Sequence, residues 1–321
     1  LNGGHTLDFI NKACELLDHS GWELAADVLP SLLRGLTTST RSEEQNAWRH
    51  PIDLVELLDP VFAVLPDLAG QSAGGTGTMP DFDGLVAILL ADDPAAIVAA
   101  LRDALAAGAA LTALSQALSY AAALRIARFH TSNEFGDWIT VLHTFTYCNA
   151  LHQGLKRAPS AELARGIFHG AMKLYRDRFL NMPAARLPDE RDVAKGHDDG
   201  EAALLVELRA LLDVEQQVNP AGALVWRYLE RGHAPSGLLS TLGHVLLRED
   251  GEFHSYQTLE AGLALYQELR AERPAEAGRV LVAVARYLAA HAPTSRAMLQ
   301  TARTALRLYR GEEIYAAEED S

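Results

Sequence analysis

Apolar residues recur three and four positions apart along most of the chain, the spacing that lines one face of an α-helix. Residues 6–20 show it first, through Leu7, Ile10, Cys14 and Leu17, and Gly21 follows as a residue suited to stopping a helix. A second helix is expected over 22–35, kinked or broken at Pro30, which lacks an N–H and clashes with the preceding turn. Residues 37–49 are polar, and His50 precedes Pro51, which disfavours helical backbone at His50. Segment 70–84 carries Gly70, Gly74, Gly75, Gly77, Pro80 and Gly84 and reads as a surface linker. Asp92-Asp93-Pro94 is a helix-start signal, and helices are expected from there to about residue 181. Residues 187–200 hold Pro188, Gly196 and Gly200 among many charges and read as a solvated loop. Residues 201–311 return to the helical pattern, and an acidic tail begins at Glu312. The expected organisation is an N-terminal helical segment (1–69), a linker (70–84), a central unit (85–186), a polar loop (187–200), a C-terminal unit (201–311) and a tail (312–321). Together they make one continuous all-α domain of stacked helical hairpins.

Three segments align within this pattern. They are His5-Thr6-Leu7-Asp8-Phe9-Ile10-Asn11, His143-Thr144-Phe145-Thr146-Tyr147-Cys148-Asn149 and His254-Ser255-Tyr256-Gln257-Thr258-Leu259-Glu260. Each opens with His and Ser or Thr and reaches Asn or Glu six residues later. Each is followed by a turn signal and another helix, which suggests a pseudo-repeat of helix pairs, since one hairpin alone cannot bury its apolar face.

Composition agrees with helix on helix. Of 321 residues, 49% are apolar but only 7% aromatic, and Ala and Leu, strong helix formers, dominate the apolar set. The longest uncharged stretch, residues 104–124, is mostly Ala with Gly108, Thr112, Ser115, Gln116 and Ser119. That is too weakly apolar for a membrane span and reads as a buried helix–turn–helix. A formal charge of −14, with no basic stripe, argues against nucleic acid and anionic membranes. Two cysteines in apolar helices, Cys14 and Cys148, form no disulfide framework, and no secretory leader is visible, so a cytoplasmic location is expected. The chain opens on Leu1, which predicts further residues upstream.

Candidate chemistry rests on the twelve histidines. His5, His143 and His254 head the repeat; three helices meeting at one point would offer their imidazoles to a metal or substrate, while the structural alternative is capping or bridging of helices. On a helix, His130 and Glu134 would share a face and could ligate one metal, and Asp250 and His254 have the same spacing. Carboxylate-bridged di-iron sites use Glu-x-x-His instead, which is absent here. His143 and His152, nine apart, fall on opposite faces of an ideal helix. His169 and His244 sit in apolar runs, where a buried imidazole is either satisfied by a partner or part of a site. His197, His233 and His291 lie in loop-like or helix-end settings and read as solvated or capping groups. Trp48-Arg49-His50-Pro51, below Glu43, Glu44 and Asn46, could line or cover a pocket. The chain lacks Gly-x-Gly-x-x-Gly, Walker, Gly-x-Ser-x-Gly, His-Glu-x-x-His and Cys-x-x-Cys motifs, which disfavours nucleotide-driven chemistry, hydrolysis of the familiar kinds and cluster binding.

The segments Arg128-Phe129-His130-Thr131-Ser132-Asn133-Glu134-Phe135-Gly136-Asp137-Trp138, residues 143–157 and residues 247–260 resemble the helical part of bacterial proteins often joined to a Rieske iron–sulfur domain. The His143-x-x-Thr146 helix also resembles the questin oxidase-like proteins, all-helical oxygenases rich in histidine. The chain has no Cys-x-His and Cys-x-x-His pair of its own, so the first resemblance implies a separate Rieske-type electron donor and histidines that hold iron or haem.

The resulting expectation is a metal- or haem-dependent oxidoreductase, an oxygenase in type, acting on a small molecule. His130, Glu134, His143 and His254 stand as metal ligands, His5 and His244 as cofactor contacts, and His169 and His50 as catalytic groups. A helical scaffold that engages a basic partner, and a cofactor-free enzyme using His–carboxylate pairs, are the alternatives. Association with further copies of the chain is compatible with all three.

Overall fold

The structure, a computed structural model, describes residues 4–38, 52–72, 81–194 and 200–312. Among these the chain is all-α, with no strand. The first part comprises α1 (His5–Ser20), α2 (Ala25–Val28), α3 (Leu33–Thr37), α4 (Leu54–Ser72), α5 (Phe82–Leu89) and α6 (Pro94–Ala106). The centre is α7 (Leu111–Ala127), α8 (Phe135–Arg157), α9 (Ala161–Arg176) and α10 (Glu190–Ala194). The remainder is α11 (Glu201–Leu211), α12 (Val218–Glu230), α13 (Pro235–Leu247), α14 (Phe253–Leu269), α15 (Pro274–Ala290) and α16 (Met298–Tyr309).

Local signals account for most boundaries. Gly21 takes φ 105° and its N–H closes α1 on the Leu17 carbonyl, a conformation that favours glycine. Asp93 accepts from the Ala96 N–H with Pro94 in the first turn of α6, Asp81 starts α5 on the Gly84 N–H, and Ser160 starts α9 on the Leu163 N–H. Each cap satisfies a donor that the helix itself leaves free. The uncharged stretch of residues 104–124 breaks at Gly108, with φ 86°, into the end of α6 and the start of α7, and no described helix is long and apolar enough to cross a membrane.

Two expected segments differ. Residues 22–38 form a staircase of 3-10 turns and the short helices α2 and α3 instead of one helix bent at Pro30. The linker is shorter than expected, because α4 runs on to Ser72 and α5 begins at Phe82. Between 187 and 200 the short helix α10 forms, its start held by Asp192, which accepts from the Asp189 N–H and pairs with Arg186.

Helices α7 and α15 are buried nearly all round, as expected for a helix with no polar face. Small residues on α7, Ala117, Ala121, Ala122 and Ala123, let α8 and α15 pack closely against it. Helices α12 and α14 pack on α15, and α9, α1 and α14 pack on α8. Helices α1 and α14 thereby lie along α8.

These three helices run in the same direction and in register. At one end His5, His143 and His254 meet. Thirteen or fourteen residues further on, Arg157 of α8 pairs with Asp18 of α1, and Glu268 of α14 accepts from His152, Gln153 and Lys156 of α8. At about 1.5 Å per residue, the two ends are about 20 Å apart. Parallel packing needs long crossovers, supplied by the helices between α1 and α8 and between α8 and α14.

Candidate metal centre

His5 is the first residue of α1, His254 the second of α14, and His143 lies two turns into α8. Because α1 and α14 start level with the third turn of α8, their opening residues arrive at one height. The ring centroids of His5 and His143 are 4.5 Å apart, those of His143 and His254 4.9 Å, and those of His5 and His254 5.7 Å. One ring nitrogen from each lies within 4.8 Å of the others, and no other such group of histidine, cysteine or carboxylate ligands occurs among the described residues.

Gly4 sets the position of His5. It takes φ +91°, and a Cβ there would come within 3.0 Å of both the His143 carbonyl oxygen and the Tyr147 Cβ. The chain therefore enters α1 pressed against α8. Gly4→Ala is expected to cost about 1–2 kcal/mol in chemical denaturation, from the left-handed backbone alone, and to shift His5 away from His143.

Burial and mutual repulsion disfavour charge on His5 and His143. Burial lowers the pKa of His143 to about 3, helped by the proximity of His5, His254 and Lys173. His5 is also lowered, by burial first and then by His254 and Lys173. The N-terminal ends of α1 and α14 add positive partial charge. The Nε2 atoms of His143 and His254 are 2.9 Å apart, so at least one must present a lone pair. Glu252 Oε1 lies 2.9 Å from the other nitrogen of His254, Nδ1. The pair is not aligned as a hydrogen bond, but the nearby negative charge favours the tautomer with the proton on Nδ1, which leaves Nε2 free to ligate.

The donor set suits a transition metal ion. Two nitrogens at right angles around a metal, with bonds of about 2.1 Å, are about 3.0 Å apart, close to the His143–His254 separation. Imidazole accommodates iron, copper, nickel and zinc alike. Three imidazoles converging on one point fit an ion better than haem, whose axial ligands approach from opposite faces. Phe9 and Phe253, 5.8 Å apart and both partly exposed, border the centre; Phe253 also lies against the rings of His5 and His254.

The other expected site residues are elsewhere. No helix spans residues 130–134: His130 Nδ1 contacts the Ser132 hydroxyl at 2.7 Å, and Glu134 is the N-cap of α8 in a capping box with Asp137. Their helical spacing therefore creates no shared face. Asp250 accepts from Ser295 and from the Ala297 and Met298 N–H groups; Glu252 is the carboxylate beside His254. His244 is exposed on α13, because its apolar sequence neighbours point about 100° away around the helix. His169 packs on α9 with its ring 5.3 Å from Phe62. His152 sits between the Ser115 hydroxyl and Glu268, at 2.8 and 2.6 Å, a satisfied core histidine. His291 is stacked on Tyr287 and bonds its carbonyl oxygen, and His233 lies against Tyr228; neither is a simple solvated group. His50 and His197 lie outside the described residues.

Sequence reasoning missed the polar layer behind the centre. Three residues after each histidine, on the same helix face, stand Asp8, Thr146 and Gln257, all buried. Their signal was present as a polar position at His+3 in all three segments, a turn before the Asn or Glu at His+6. Asp8 has neither oxygen in a hydrogen bond of normal geometry. Burial raises its pKa to about 6, against a lowering by Lys12, while Glu260 and Glu15 raise it further and the Gln257 side chain lowers it. Comparison with family models, with curated proteins and with solved structures finds no match for the chain.

Proposed function

We propose that His5, His143 and His254 bind one transition metal ion, iron in the reading we favour, and that the protein is a metal-dependent oxidoreductase of the oxygenase type. The observation that carries this is the convergence of three imidazoles from distant parts of the chain on one point. His5 and His143, disfavoured as cations by partial burial, keep their lone pairs for a metal near neutral pH. A three-histidine set leaves coordination positions open, which is what binding of a further reactant requires. The metal would supply Lewis-acid or redox chemistry; the protein's own residues orient the imidazoles, through Gly4 and Glu252.

The redox character of the reading rests on the resemblance to Rieske-associated and questin oxidase-like helical proteins, and it implies a separate electron donor. The partly exposed rings of Phe9 and Phe253 suit the stacking of a flat, apolar small molecule at the mouth of the site. Elemental analysis with an absorption spectrum of the purified protein tests the reading. We expect close to one equivalent of iron, lost in the His143→Ala, His254→Ala double variant. Protein that takes up no metal after incubation with ferrous, zinc or copper salts and desalting would overturn it; zinc alone at one equivalent would keep the centre and remove the redox chemistry.

A further inference from the structure

The interior behind the three histidines is polar, and most of its hydrogen-bonding capacity is unused. Asp8 is 1% exposed, Asn11 4% and Gln257 7%. Oδ1 of Asn11 and Oε1 of Gln257 accept no hydrogen bond from the protein, and the oxygens of Asp8 have the Gln257 side chain as a neighbouring donor but no bond of normal geometry. Four buried acceptors facing so few donors are costly unless water or a proton on Asp8 supplies what is missing.

The arrangement continues outward. Along α1 the polar positions run His5, Asp8, Asn11 with Lys12, and Glu15; along the parallel α14 they run His254, Gln257 and Glu260. Lys12 bridges the two helices by donating to Glu15 and Glu260, and Asn11 donates to Glu15 at 2.7 Å. The outer end opens into a surface cleft of about 460 Å³ lined by Lys12, Glu15, His19, Tyr256, Gln257 and Glu260. Gln257 thus belongs both to the buried layer and to the wall of the cleft. From His5 to Glu15 the column spans about 15 Å.

We propose that this column carries protons between the histidine centre and the cleft, with Asp8 as the group that holds the proton; the proposal rests on the metal-centre reading given above. In each transfer Asp8 gives its proton to a basic group generated at the centre and becomes a carboxylate. A hydronium ion entering from the cleft then returns a proton to Asp8 along the polar path past Gln257 and Asn11, so nothing but a proton moves. The charged groups acting on Asp8 are Lys12 and Glu15 from its own helix and Glu260 from α14. Helix α8, also packed against α1, brings His143 to the inner end and Arg157 to the far end, where it is bound by Asp18. With its pKa raised to about 6 by burial, Asp8 can both hold and release a proton near neutral pH.

Metal binding provides the readout, because a cation about one helical turn from Asp8 expels its proton. Metal-free protein is titrated with Zn²⁺ at pH 6 in buffers of different ionisation enthalpy, which counts the protons released per ion bound. We expect the wild type to release about half a proton more than Asp8→Asn at the same metal stoichiometry. Glu260→Gln, at the outer end, should slow the release seen by a pH indicator in stopped flow by about tenfold, and should lower the proton count because it removes a charge that raises the Asp8 pKa. Should Asp8→Asn fail to fold, the infrared band of a neutral carboxylic acid in the wild type must still titrate near pH 6. Equal proton counts with equal metal, wild-type release in Glu260→Gln, or absence of that band would each overturn the column and leave the centre standing. Failure of the wild type to bind Zn²⁺ would overturn both, and so is told apart.

Discussion

His143→Ala should bind its metal at least ~100-fold more weakly than the wild type, while His130→Ala and His244→Ala bind it unchanged. The reason is geometric. His143 lies nearest to both of the others, with its ring 4.5 Å from His5 and 4.9 Å from His254, so its removal leaves two imidazoles and one ligand fewer on the ion. Loss of even an outer-shell partner commonly weakens a metal site 10–100-fold, and loss of a ligand must exceed that. His130 is engaged with Ser132, and His244 is exposed; both were candidates by sequence, so their variants are direct controls. Competition with a chromogenic chelator measures all three affinities. Equal affinities across the three variants would place the metal elsewhere.

Asp8→Asn should stabilise the folded protein at pH 7.5 by about 2 kcal/mol, and the gain should vanish below pH 4. Folding raises the Asp8 pKa from 3.8 to about 6. The stability that comes from keeping its proton is complete below the unfolded value of 3.8 and is lost as pH rises through about 6. Two units correspond to about 3 kcal/mol, from which we discount part because Asn must also be hydrogen-bonded in that layer. The titrations of Lys12 and Glu260 act in the same place and with known signs. Burial works against the charge of Lys12, but Glu260 and Glu15 outweigh it and raise its pKa, while burial raises that of Glu260. Urea denaturation of wild type and variant at pH 4 and pH 7.5 gives the four free energies required. A variant less stable than wild type at pH 7.5 would mean that Asp8 is ionised and well solvated. A stabilising substitution of this kind at a buried polar group would follow the usual opposition between stability and function.

The helical fold was legible because its causes are local. The three-to-four spacing of apolar residues, the stop at Gly21 and the start at Asp93-Pro94 act within one or two turns, and all appear where the sequence puts them. The segment after Gly21 was misread for the same reason: its pattern allows a helix, but Pro30 and the weak burial of residues 22–38 leave it as short turns. Helical spacing alone also misjudged His130 and Glu134, since the chain turns between α7 and α8 and Glu134 starts a helix there.

For the site, local chemistry could nominate histidines but could not rank them. His244 has apolar neighbours in sequence and is exposed; His152 looked out of phase with His143 and is a buried partner of Glu268. Burial of a helical side chain depends on which face meets another helix, and that is decided by packing over long separations. The sequence by itself determined an all-α chain and three segments headed by His5, His143 and His254. Only the tertiary structure decided that those three meet, because α1 and α14 must dock on α8 in parallel and in register. That register is set by contacts such as Asp18–Arg157 and Glu268–His152, more than a hundred residues apart in the chain, and by the tight entry at Gly4. The same docking buried Asp8 and Gln257 behind the histidines, which no spacing rule within a single helix could have revealed.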